Sequence, residues 1–170
     1  MQILIMGVSG AGKTTIGKRL ADELKARYIE GDDYHSEANK ARMTAGTPLD
    51  DLCRWDWLNT LALELRKSAA RNETAVLACS ALKKSYRSLL LEGCPSNCTV
   101  WLSASPELLE RRLKNREHHF MPVSLLASQL ADLEIPDGAI TVDCRSPVDA
   151  ILPSLVDRIQ LQVESCTAKV

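Results

Sequence analysis

Gly7-Val8-Ser9-Gly10-Ala11-Gly12-Lys13-Thr14 follows directly on the apolar run Ile3-Leu4-Ile5-Met6. The eight residues fit G-x-x-x-x-G-K-[ST], the phosphate-binding loop, in the strand-then-helix context that the motif requires. The run predicts a short buried strand over 2–6. Ile16, Leu20 and Leu24 recur at helical spacing and predict a helix over 13–26. Glycine lets a backbone wrap closely around an oxyanion with its amides turned inward, and a helix N-terminus adds a dipole that favours negative charge. Gly7, Val8, Ser9, Gly10, Ala11, Gly12, Lys13, Thr14 and Thr15 therefore form the expected cradle for ATP. Lys13 is placed to reach the β- and γ-phosphates and has a catalytic part, and the Thr14 hydroxyl is a candidate Mg²⁺ ligand.

Outward from the loop, short apolar runs alternate with longer helical patterns, which predicts a parallel sheet covered by helices. Strands are expected at 28–30, 75–79, 99–102 and 139–142, and helices at 36–45, 51–71, 82–92, from Pro106 through Leu113, 123–133 and 147–163. Ala75-Val76-Leu77-Ala78-Cys79 carries no polar residue, as suits a strand buried on both faces. The tail from Glu164 carries no pattern and is expected to fray. Five parallel strands behind an early phosphate loop define a P-loop NTPase of the α/β class, nucleoside-monophosphate-kinase-like. In such sheets ligands collect at the carboxyl ends of the strands.

The chain of 170 residues fits one domain, 1–170. Its net charge of −1 gives no basic surplus to attract nucleic acid. No apolar stretch approaches a membrane span, and the opening residues lack a secretory pattern, so a cytoplasmic protein is expected. The six cysteines are then expected to be free thiols.

Gly31-Asp32-Asp33-Tyr34-His35 follows the second strand. A phosphoryl acceptor needs its hydroxyl oriented and its proton accepted, work that an aspartate does. Asp32 is the candidate base, with a second role toward Mg²⁺ through water; the bland alternative is a polar turn whose aspartates cap the next helix. His35 is a candidate substrate contact. Arg42, Arg54 and Arg87 are candidates to hold an anionic acceptor, because guanidinium forks match carboxylates, although each singly also suits a solvated surface. Lys83 and Lys84 sit near a helix N-terminus, where lysine opposes the dipole and asks for an anion. The basic, aromatic segment Arg112–Pro122 lies where a lid over ATP belongs. Arg112 and Arg116 are candidates for nucleotide binding, and Arg116 for charge neutralisation in the transition state. His118-His119 lacks partners at zinc spacing. Asp143–Pro147 follows the fifth strand and is either an adenine-packing loop or a plain turn.

Together these segments resemble the gluconokinase family of small P-loop kinases. The resemblance covers roughly residues 2–160. It rests on M-G-V-S-G-A-G-K-T at 6–14, G-D-D-Y-H at 31–35, Arg42-Met43 with Gly46 and Pro48-Leu49, and Arg54 with Trp57-Leu58. It continues through C-S-A-L-K-K-S-Y-R at 79–87, R-L-K-N-R-E-H-H-F-M-P at 112–122, S-Q-L at 128–130 and Leu133-Glu134-x-Pro136. It implies ATP- and Mg²⁺-dependent transfer to the 6-hydroxyl of D-gluconate by a cytoplasmic homodimer. It also implies a mobile lid near 116–122, acceptor-binding helices over about 34–71, and acceptor contacts from Asp32, His35, Arg42, Arg54, Lys83, Arg87 and His119. Cys53, Asp56, Ser88, Leu91 and Glu30 stand where the family commonly has Asp, Pro, Asp, Arg and Asp. Residues 50–57 bear on the acceptor pocket, so a related sugar acid or polyol is the first alternative substrate. A shikimate- or nucleotide-type kinase, an ATP-switched regulator and a non-catalytic gluconate sensor are the other rivals.

Overall fold

The computed structural model describes residues 1–115 and 125–167, with side chains to residue 162. Arg116, His119 and the lid assigned to 116–122 lie outside the described residues. Five strands, β1 (Gln2–Met6), β2 (Arg27–Glu30), β3 (Ala75–Ala78), β4 (Asn97–Ser103) and β5 (Ile140–Asp143), form one sheet in the order β2-β3-β1-β4-β5. Every pairing is parallel. The helices are α1 (Lys13–Leu24), α2 (Glu37–Thr44), α3 (Asp51–Ala70), α4 (Lys84–Leu91), α5 (Pro106–Lys114), α6 (Leu126–Asp132) and α7 (Val148–Thr167).

The central strand explains the two-sided core. Ile3 and Ile5 face a cluster with α1, α5 and α7, including Leu20, Leu109 and Ile159. Leu4 and Met6 face the opposite cluster with α3 and α4, including Leu58, Leu61 and Leu90. Period-2 alternation thus sends successive side chains into two dry layers, and Ile3, Leu4, Ile5 and Met6 are all 0% exposed. Fully burying such side chains contributes about 1.5–3 kcal/mol each.

Strand order reverses beside β1: the chain leaves it to build β2 and β3 on one side, then crosses to β4 and β5 on the other. The crevice at that switch point opens above the carboxyl end of β1. There the phosphate loop turns. Gly7 adopts φ +145°, and a Cβ on it would meet the Leu102 carbonyl oxygen at 2.9 Å. No other residue fits without moving β4.

The boundaries differ from the sequence expectation in instructive places. Helix α4 begins at Lys84 rather than 82, because Ala81 takes a left-handed φ of 46° and Lys83 is extended. α7 runs to Thr167, past the expected end at 163, since neither glycine nor proline stands after Pro153 to stop a nucleated helix. No disulfide joins the described cysteines, at 53, 79, 94, 98 and 144. No described helix is long and apolar enough to cross a membrane.

Candidate active site

Two clefts open over the carboxyl end of the sheet, and they share three side chains: Ser9, Lys13 and Asp32. The larger, about 300 Å³, runs along the loop from Ser9 to Ile16 and is closed by Arg112, Cys144, Ser146, Val148 and Ile151. Its polar floor suits phosphates, and its far wall offers apolar surface to a planar base. The loop after β5 thus borders this cleft. Its proline stands just before the helix: the Pro147 carbonyl accepts from the Ala150 and Ile151 amides. Arg112 donates to the Cys144 carbonyl at 2.6 Å and the Gly10 carbonyl at 3.4 Å, tying α5 to both walls. Lys13 donates to the Val8 carbonyl at 3.2 Å.

The smaller cleft, about 50 Å³, lies on the other side of Asp32. Met43 and Pro48-Leu49 form one wall. Arg54, Trp57, Tyr86, Ser80 and Leu82 form another, and Leu125, Ser128 and Gln129 a third. Asp32 reaches the junction because Gly31–Tyr34 is a single 3₁₀ turn held from two directions. A Cβ on Gly31 would sit 2.6 Å from the Ala78 carbonyl oxygen, so only glycine lets the turn lie on β3. Trp57 Nε1 donates to the Gly31 carbonyl at 2.7 Å. The aspartates do not cap the next helix; Ser36 does, accepting from the Asn39 amide.

His35 stacks on Trp57 with ring centroids 4.0 Å apart. It is 7% exposed, and its Nδ1 is buried without a hydrogen-bond partner. Burial, with Lys40 and Arg54 adding like charge, pushes its pKa down to about 4. The imidazole is therefore neutral at physiological pH; its ring borders the small cleft, and its buried Nδ1 has no partner among the described residues. Arg54 donates to Tyr86 Oη at 3.0 Å and to Asp132 at 3.2 Å while still lining that cleft. The tyrosine in turn donates to Asp51 at 2.5 Å.

The remaining described candidates line neither cleft. Arg42 donates to Cys53 Sγ at 2.8 Å and lies 3.9 Å from Asp50. Lys83 finds its anion in Asp51, at 2.8 Å, and the Lys84 amide finds Glu134 at 2.5 Å. Buried Arg87 donates to the Ala81 and Leu82 carbonyls, at 3.1 and 2.8 Å, and so holds the left-handed turn after β3. Burial raises the Cys79 thiol to about 12 and the Cys144 thiol to about 11. Neither supplies a thiolate nucleophile at neutral pH.

Sequence reading passed over Trp57, Tyr86 and Gln129 as functional groups. Trp57 and Tyr86 look like helical core residues, and they are buried as such. Gln129 carries two signals, its place in the S-Q-L segment at 128–130 and a polar side chain within the apolar pattern of α6. It is 9% exposed, and its Oε1 accepts from the Ser9 amide at 2.6 Å.

For Mg²⁺ the donor set fits. Among the described residues no group of three or more His, Cys, Asp or Glu could hold a metal by itself. Thr14 and Asp32 nevertheless line the phosphate cleft together. One or two oxygen ligands beside substrate phosphates are what Mg²⁺, which keeps its waters, takes from kinases.

A parallel sheet of this order, a phosphate loop at its switch point and an acidic junction between two clefts define a P-loop kinase. A family model described as an AAA domain matches residues 3–136. A probable gluconokinase of Xenopus tropicalis is 41% identical over 97% of this chain and 98% of its own length. The thermosensitive gluconokinase of Escherichia coli K12 is 44% identical over 79% of this chain and 72% of its own. The crystal structure of a gluconokinase from Sinorhizobium meliloti 1021 superposes with a TM-score of 0.88 at 37% identity, over 99% and 96% of the two chains. The chain belongs to the gluconokinase family.

Proposed function

We propose that the protein phosphorylates D-gluconate at its 6-hydroxyl, with ATP as donor. The observation that carries this reading is the junction of the two clefts at Ser9, Lys13 and Asp32. A donor along the phosphate loop and an acceptor in the smaller cleft would both border these three side chains. Asp32 takes the proton of the attacking hydroxyl and orients its oxygen. Lys13 and the loop amides hold the transferring phosphoryl group and balance its charge. Thr14, and Asp32 through water, would hold Mg²⁺, which would supply charge neutralisation at the nucleotide phosphates. Arg112 secures the nucleotide side of the cleft.

On the acceptor side, Arg54 lines the cleft with a guanidinium suited to the sugar-acid carboxylate, and neutral His35 is suited to a hydroxyl. Arg42, Lys83 and Arg87 support this pocket through Cys53, Asp51 and the loop after β3. The family resemblance assigns Arg116 to charge neutralisation during transfer and His119 to the acceptor. The reading extends to one kinase domain over 1–170 acting in the cytoplasm as a homodimer, which sedimentation of the purified protein tests.

The deciding experiment is a coupled assay with ATP, Mg²⁺ and D-gluconate, following NADP⁺ reduction by 6-phosphogluconate dehydrogenase. ADP release with other sugar acids and shikimate runs beside it. Gluconate-dependent NADPH formation establishes the acceptor and the carbon phosphorylated. Turnover with a different acid alone moves the specificity to the 50–57 wall. Cys53 favours that second reading, because it gives Arg42 a thiol partner where a carboxylate would fix it more strongly.

A further inference from the structure

Helix α6 touches each party to the reaction. Leu125, just before it, packs with Met43 and Leu49 on the acceptor wall. Asp132, at its last turn, pairs with Arg54 at 3.2 Å. Leu126 plants the helix in the core beneath the phosphate loop, together with Val8 and Ala11. From the middle, Gln129 sends its carbonyl oxygen 2.6 Å to the Ser9 amide.

Ser9 stands in the part of the loop that borders both clefts, and Gln129 lines the acceptor cleft beside it. An amide of the phosphate loop is thus held by a side chain belonging to the acceptor pocket. The bond is buried and short, so it fixes the direction of that amide and the position of the loop's acceptor-side edge.

We infer that Gln129 is a positioning residue that links occupancy of the acceptor cleft to the geometry of the phosphate loop, so that acceptor and nucleotide tighten each other's binding. An acceptor gripped by Arg54 and the Met43–Leu49 wall bears on the two ends of α6. The helix is one rigid element of seven residues, and Gln129 carries its position to Ser9. Loss of the bond disconnects the two clefts while leaving Lys13, Asp32 and Arg54 in place. This role rests on the assignment of the sugar acid to the smaller cleft.

The test is a binding cycle by calorimetry on the whole protein with Mg²⁺. A non-hydrolysable ATP analogue is titrated with and without saturating D-gluconate, and gluconate with and without the analogue. In the parent, each ligand is expected to tighten the other about tenfold, the same factor in both directions, as linkage requires. Gln129→Met keeps the length and removes the oxygen acceptor, and is expected to bring the factor to within about twofold of unity. Gln129→Glu keeps an oxygen for the Ser9 amide. Its charge weakens nucleotide and gluconate binding, each to the same extent with or without the other ligand, so the factor itself is expected to stay near the parent's. That variant decides the matter if the methionine protein does not fold. A parent factor of unity, an unchanged factor in Gln129→Met, or a lost factor in Gln129→Glu overturns the inference. A parent that binds the analogue but gives no heat with gluconate overturns the acceptor assignment as well.

Discussion

Asp32 and His35 stand three positions apart, and the fold asks opposite things of them. The role proposed for Asp32 is that of a base where the two clefts meet, whereas His35 is buried neutral. Replacing Asp32 by Asn keeps the shape and removes the base; kcat is expected to fall by about 10²–10⁴-fold with nucleotide affinity retained. Steady-state kinetics beside analogue binding checks this, and near-normal turnover would take the base role away from Asp32. His35 has a folded pKa of about 4, below the unfolded value near 6.5. Its neutral burial stabilises the fold fully above pH 6.5. Between the two values the unfolded chain binds a proton that the folded one does not, so this contribution falls as pH drops, by about 1.4 kcal/mol per unit. Urea midpoints from pH 4 to 7 should therefore slope less in His35→Gln than in the parent. Equal slopes would show that the imidazole titrates normally.

At the scale of elements, the site is assembled by helices leaning on one another. Arg54 of α3 is braced by Tyr86 of α4 and Asp132 of α6, so three helices set one guanidinium. Arg54→Met is expected to raise the gluconate KM by about 10–100-fold, the loss of a charge-assisted contact of 1.5–3 kcal/mol, with little change in the KM for ATP. A parallel rise in both would mean that the substitution deforms the phosphate loop instead. These braces also mark where the sequence stops being legible. β1, the loop and α1 could be read directly, because a motif, an apolar run and helical periodicity agree within some twenty adjacent residues. The position of Asp32 at the carboxyl end of the sheet could be read for the same reason: it follows directly on the strand before it. Arg42, Lys83 and Arg87 looked equivalent to Arg54, since an arginine or lysine carries the same chemistry in any setting. What separates them is tertiary: Cys53, Asp51 and the carbonyls of Ala81 and Leu82 claim three of these cations outside the clefts, while Arg54 keeps a face on one. Gln129 was hidden for a related reason, because its partner is a backbone amide far away in the chain.

Over the whole molecule, the two clefts sit above the switch point, and filling both should bind the two flanks of the sheet more firmly together. A ligand at about 100 times its Kd adds about 2.7 kcal/mol, which for a chain of this size raises Tm by several degrees. Differential scanning fluorimetry is expected to show such a rise with Mg²⁺ and ATP analogue, and a further one with gluconate. No rise with nucleotide would contradict the phosphate-loop assignment. The strand order has a second consequence, which belongs to synthesis rather than catalysis. Gln2 pairs with Ala75 on one side and Asn97 on the other. Of the five strands the central one, β1, is made before the others, yet its second neighbour follows it by about ninety residues. At roughly 5–20 residues per second, Ile3 to Met6 wait on the order of ten seconds for the partners that bury them. Throughout that interval the nascent chain has a finished nucleotide motif but no nucleotide site. It is then at its stickiest, and a holding chaperone would have most to offer it.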